Sequence, residues 1–109
     1  MPLLAQHTAV RIADVALEPL DAGEGAPATG VRALATLGGL EIGVWEMAVG
    51  EAVDTEAEEV FVVVAGRGRV EIAGDVIELE PGVIVRLAEG ARSRWTVTET
   101  LRKVYLTAG

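Results

Sequence analysis

The sequence predicts an all-β domain of short antiparallel strands, closed as a sandwich or barrel. Three observations carry this. Gly66, Gly74, Gly82 and Gly90 recur every eight residues. Between them lie VEIA, VIELE and VIVRL, short and rich in β-branched residues, and such strands at regular spacing with turn residues between them mark all-β architectures. The stretch EEVFVVVAG, Glu58–Gly66, holds six consecutive apolar residues and does not alternate, so this strand needs cover on both faces. No window carries the 3.6-residue periodicity of a long amphipathic helix.

The elements follow in order. Residues 1–32 read as an N-terminal arm and loop, and 33–109 as the barrel of one single domain. Leu17–Gly30, LEPLDAGEGAPATG, has two prolines and three glycines and reads as a loop or extended arm. Gly38-Gly39 reads as a turn before a strand at Leu40–Ala48. Glu59 then opens the apolar strand. Ala73-Gly74-Asp75 reads as a tight hairpin, because Gly and Asp tolerate positive φ. In Glu80-Pro81-Gly82, proline presets φ and glycine is free to take a left-handed conformation. Arg92–Thr98 alternates as a strand does, and Leu101–Thr107 reads as the closing strand. Gly66-Arg67-Gly68 begins like a dinucleotide fingerprint, but Glu71 stands at the third glycine and no helix follows to bind a phosphate.

Composition excludes several function classes. The 109 residues suit one domain. Nine basic residues against seventeen acidic ones give a formal charge of −8, which repels phosphate backbones. Neither nucleic acid nor an anionic membrane is expected as a partner. A membrane-spanning helix needs about twenty apolar residues, far more than the run at Val60–Ala65. The start, MPLLAQHTAVRIADV, lacks the pattern of a signal peptide. Without cysteine there is no disulfide framework, thiolate nucleophile or sulfur-ligated zinc. A cytoplasmic protein is expected.

Four segments together resemble a known family. Glu59-Val-Phe-Val-Val-Val-Ala-Gly66 resembles the second half of the first cupin motif, whose full form has two histidines, one residue apart, before that glutamate. Pro81-Gly82-Val-Ile-Val-Arg-Leu-Ala-Glu-Gly90-Ala-Arg-Ser-Arg-Trp95 resembles the second cupin motif. Gly43-Val-Trp45-Glu46 and the ending Trp95-Thr-Val-Thr-Glu-Thr-Leu-Arg102-Lys103-Val-Tyr105 resemble the small cupins that include (S)-ureidoglycine aminohydrolase and the ethanolamine-utilisation cupin. The resemblance spans about residues 38 to 107 and implies a small antiparallel cupin β-barrel, a double-sheet jelly roll. In metal-dependent cupins, three histidines and the glutamate hold a divalent ion. Here Glu59 matches the glutamate, Val53 and Thr55 fall at the two histidines, and Ser93 falls at the third. The one histidine, His7, lies far upstream and reads as an exposed terminal residue.

Valine cannot bind a metal, hydroxyls bind one poorly at neutral pH, and such a site wants imidazole nitrogens. No metal or cofactor is expected. The acids Glu51, Asp54, Glu56, Glu58 and Glu59 match no calcium loop and read as a solvated loop at the barrel mouth. If Glu59 points inward, period two sends Phe61, Val63 and Ala65 inward too, and Val60, Val62 and Val64 outward. The outer valines need cover from the second sheet or the N-terminal arm, or from a partner in a homodimer. A buried carboxylate without a metal needs a partner or a proton, and the candidates are Lys103, Tyr105, Ser93 and water. Trp45, Phe61, Trp95 and Tyr105 offer flat apolar walls with a few polar tips, the make-up of a small-molecule site, although aromatics also simply fill cores. Arg92, Arg94, Arg102 and Lys103 read as a small basic group that receives an anion or pairs with surface acids.

Three functions follow. The first is a small-molecule-binding barrel using Trp45, Thr55, Glu59, Phe61, Ser93, Trp95, Lys103 and Tyr105. The second is an aminohydrolase-, isomerase- or lyase-like enzyme with Glu59 as its catalytic general acid or base. The third is a structural or regulatory dimer module with a filled barrel.

Overall fold

A computed structural model describes residues 2–108. The strands are β1 (Glu18–Leu20), β2 (Thr29–Leu37), β3 (Leu40–Met47), β4 (Gly50–Thr55), β5 (Glu59–Ile72), β6 (Asp75–Leu79), β7 (Ile84–Leu87) and β8 (Arg92–Thr107). Among the described residues the one helical element is a 3-10 turn at Ile12–Asp14. Every strand pairing is antiparallel. The expected turns at Gly38-Gly39, Ala73-Gly74 and Pro81-Gly82 join β2 to β3, β5 to β6 and β6 to β7.

The frame is a ribbon of the two longest strands. β5 and β8 pair along almost their whole lengths. One half of β8 pairs with β4 and the other half with β3. β5 likewise pairs with β7 in its first half and β6 in its second. The ribbon therefore serves both walls of the barrel, and it must bend between them.

Gly66 makes that bend. The eight-residue glycine rhythm predicts a turn there, but Gly66 lies inside β5. Its φ is +92°, and the register with β8 shifts between Val63 and Gly68. A Cβ at this position would lie 2.1 Å from the Thr100 carbonyl oxygen, so a β-bulge with close backbone approach requires glycine. The bulge also flips the side-chain parity. Phe61 and Val63 point inward and are buried as expected, whereas Ala65 is exposed rather than interior.

Two other expectations are corrected. The barrel starts at Thr29, within the segment read as loop, and Glu18–Leu20 adds an edge strand to it. The two closing strands are one continuous β8. Pairing with β3, β4 and β5 gives its backbone partners through the stretch where the sequence loses its alternation.

Phe61, Met47, Leu87, Val63, Val70 and Leu101 anchor the main core. Each such side chain contributes about 1.5–3 kcal/mol by leaving water. A second, smaller cluster lies outside the barrel wall. There Leu4, Val10, Ile12, Val15 and Leu17 cover Leu34 and Val44. Arg102 fastens this segment, donating to the Ile12 and Val15 carbonyls at 2.7 and 3.3 Å and to Glu46 at 2.9 Å. The arm does cover part of the outer face. Val60, Val62 and Val64 remain half-buried, and Ile84, across from Val62, is 69% exposed.

Candidate functional site

Period-two alternation brings one column from each of three paired strands to the same interior spot. Trp45 on β3 lies opposite Lys103 on β8, which lies opposite Val63 on β5. Two and four residues back along β5 are Phe61 and Glu59. Trp95 reaches in from the first half of β8.

The Lys103 side chain is only 5% exposed. Its ammonium donates to Glu59 Oε2 at 2.9 Å. The same nitrogen stands 4.2 Å from the Phe61 ring centroid and 4.6 Å from those of Trp45 and Trp95. The rings also touch one another, with both Trp45–Trp95 and Phe61–Trp95 centroids 5.5 Å apart. Burying an ammonium costs several kcal/mol, and ring faces return about 0.5–2 kcal/mol per contact. Burial lowers the Lys103 pKa, against the opposing pull of the Glu59, Glu56 and Asp54 charges. Lys103 is the only lysine of the chain; the other eight cationic side chains are arginines.

A second network stands beside this pair. Glu56 Oε2 accepts from the Trp95 indole N–H at 3.0 Å and from the Ser93 hydroxyl. Its backbone is tied to the 88–91 turn through Glu56 N–Ala91 O and Gly90 N–Glu56 O. Glu56 is therefore buried, not part of a solvated loop. Its neighbour Glu58 does stay at the surface, holding the same turn through the Glu89 amide and Arg86.

Tyr105 closes the third side, donating to Glu41 at 2.8 Å. Burial, reinforced by Glu41, pushes its phenol well above the ordinary range, so it stays a neutral donor. It passes close over Gly43, where a Cβ would fall 2.3 Å from the phenol oxygen. Only glycine permits this approach.

These groups face an open cavity of about 390 Å³, within the range of small-molecule sites. The barrel is not filled solid, contrary to the third function considered. Trp45, Thr55, Glu59, Trp95, Lys103 and Tyr105 line the cavity; Phe61 and Ser93 stand behind it, supporting Lys103 and Glu56. Asp21, Asp54, Glu56 and Glu59 set four carboxylates against one ammonium, a net −3 among the described residues. No donor among those residues reaches the second oxygen of Glu56 or Glu59, and no buried side-chain oxygen is left without a partner. Both second oxygens therefore meet the solvent of the cavity.

The register sets Ala52 and Asp54 opposite Trp95 and Ser93, and Val53 and Thr55 opposite Arg94 and Arg92. All four residues line the mouth of the cavity, where Val53, Asp54 and Thr55 are exposed. The basic group is also dispersed. Arg92 and Arg94 are exposed on β8, Arg102 is fastened to Glu46, and Lys103 is interior. His7 is exposed and does not line the cavity.

The model of the EutQ-like cupin domain matches residues 34–105. The chain belongs to this family. As a EutQ-like cupin it is similar in structure to the EutQ protein of Clostridium difficile, with a TM-score of 0.78, 22% identity, and 91% of this chain and 84% of that one covered. It is similar to a putative ethanolamine utilization protein q of Salmonella typhimurium LT2, with a TM-score of 0.73, 17% identity, and 84% and 76% covered. A protein of unknown function from Rhizobium leguminosarum bv. viciae 3841 matches with a TM-score of 0.73, 23% identity, and 94% and 97% covered. At these identities the likeness establishes the fold. No curated protein sequence matches the chain.

The divalent ion of metal-dependent cupins does not fit this cupin. No imidazole lines the cavity, and an ammonium already neutralises Glu59 at hydrogen-bond distance. A dication beside Glu59 would meet the Lys103 charge at close range. Among the described residues no three histidine, aspartate or glutamate side chains converge into a metal-sized cluster. No described helix is long and apolar enough to cross a membrane.

Proposed function

We propose that this cupin binds a small polar metabolite inside the barrel, without a transition metal. The observation that carries this is the open cavity with the Glu59–Lys103 pair and the Trp45 and Trp95 faces in its wall. Flat apolar walls with few fixed polar groups are what a small-molecule site needs. Thermal-shift screening with sugars, ureides and amino-acid derivatives tests the reading. A saturable rise in midpoint is expected for one class, lost in Trp95→Ala. If no class stabilises the protein, the proposal fails.

A second reading, catalysis with Glu59 as general acid or base, draws support from the 2.9 Å Glu59–Lys103 contact, short enough for proton transfer. Its test is Glu59→Gln, expected to abolish turnover with folding intact. The proposal includes a homodimer formed through the outer valines and Ile84, because half-buried apolar faces of this kind favour association. Light scattering on the purified protein checks it: a Val62→Glu, Ile84→Glu variant is expected to be monomeric.

A further inference from the structure

Lys103 is chemically singular in this chain. Eight of the nine basic side chains are guanidinium groups, which do not give up a proton in proteins. None of those eight lines the cavity. The one cationic side chain able to become a nucleophile stands in its wall.

We propose that Lys103 is a reactive amine that condenses with the carbonyl carbon of a small neutral hydroxyaldehyde or hydroxyketone held in the barrel. This rests on the reading of the cavity as a metabolite site. Glu59 takes a proton from the ammonium across the 2.9 Å contact. The freed amine attacks the carbonyl carbon, a C–N bond forms, and the carbonyl electron pair moves to oxygen, which receives that proton back from Glu59. The hydroxyl of the resulting carbinolamine then leaves as water, taking a proton from the same nitrogen by way of Glu59. An ammonium and a carbonyl thus become a protonated imine and one water, with charge conserved.

The surroundings suit the product as well as the reactant. A protonated imine carries its positive charge where the ammonium carried it, so the faces of Trp45, Phe61 and Trp95 and the Glu59 carboxylate continue to hold a cation. Burial lowers the lysine pKa, which raises the fraction of free amine, the usual way a lysine nucleophile is activated. The carbonyl compound is neutral because the wall is acidic, and a 2-oxo acid would set its carboxylate against Asp54, Glu56 and Glu59. It is hydroxylated because the solvent-facing second oxygens of Glu56 and Glu59 accept hydrogen bonds and donate none.

Reductive trapping tests this on the intact protein. The folded chain is incubated with millimolar dihydroxyacetone and sodium cyanoborohydride, and adducts are located by peptide mapping. One reduced adduct at Lys103 is expected, formed on the order of tenfold or more faster than at the same lysine in the urea-unfolded chain, as positioning implies. Glu59→Gln is expected to slow it by about a hundredfold, the scale of a lost proton-transfer group. Pyruvate is expected to trap poorly. If Lys103 is unmodified, or modified no faster than in urea, or only the α-amino group reacts, the proposal is overturned. Those outcomes need no variant to fold. Millimolar glycerol, which has no carbonyl, separates the two readings. A saturable rise in the thermal midpoint with a silent Lys103 leaves the metabolite site standing and removes the reactive amine; no adduct, with no rise from glycerol or from any class of the thermal-shift screen, removes both.

Discussion

Lys103 and Glu59 form a buried ion pair at 2.9 Å, with the ammonium roofed by three aromatic rings. Breaking one side of such a pair leaves an uncompensated charge, whereas replacing both by apolar residues often costs nothing. Lys103→Met alone is expected to destabilise by about 3–5 kcal/mol. Adding Glu59→Leu is expected to recover most of that loss. Urea unfolding of the two singles and the double measures the coupling, and additive losses would contradict the pairing.

The same lysine gives stability a pH slope. Its folded pKa lies below the ordinary value of 10.5. Between the two values the unfolded chain holds a proton that the folded chain has released, so stability rises with pH through that window and levels off above it. Wild-type midpoints in urea are expected to climb as pH rises through the depressed folded value toward the ordinary lysine value. Lys103→Met is expected to lack the climb.

At the acid end the group to watch is Glu58. The Glu89 amide, then Arg86, hold its carboxyl below the ordinary range. Its stabilisation is complete above that range and is lost as pH falls through the depressed folded value. Glu58→Gln is expected to flatten the acid limb of the unfolding curve, most clearly at low salt because the pair is exposed.

Gly43→Ala puts a methyl group 2.3 Å from the Tyr105 oxygen and 2.7 Å from the Arg32 carbonyl. The backbone cannot yield as a side chain can. A loss of about 1–3 kcal/mol is expected, typical of overpacking, together with rupture of the Tyr105–Glu41 bond. A thermal midpoint equal to wild type would refute the close approach.

Arg102→Met keeps the apolar stem but removes donors to Glu46, Ile12 and Val15. Charge-assisted bonds contribute about 1.5–3 kcal/mol each. The N-terminal segment is expected to become cleavable in limited proteolysis while the barrel resists. Unchanged protection would show that the apolar cluster around Val44 suffices.

The strands and most turns were legible because they rest on local rules, alternation and turn chemistry. Glu59 was readable as interior, with Lys103 among its possible partners. Glu56 was not, since it stands in a run of acids and its burial depends on Trp95 and Ser93, almost forty residues away. Asking what accepts the indole N–H of a buried tryptophan is the signal that finds it. Gly66 and Ala65 escaped for a related reason. A bulge inside a strand has the same glycine as a turn, and it reverses which residues face inward from that point on.

The placement of β8 bears on how the chain is made. Residues 92–107 supply hydrogen-bond partners to β3, β4 and β5 at once, yet they are the last of the eight described strands in chain order. Until they emerge, the earlier strands have no common neighbour, and the apolar run at Val60–Ala65 lacks one of its two sides. Barrel closure therefore waits for the other seven strands to be made, and the nascent chain carries an open, sticky edge up to that moment.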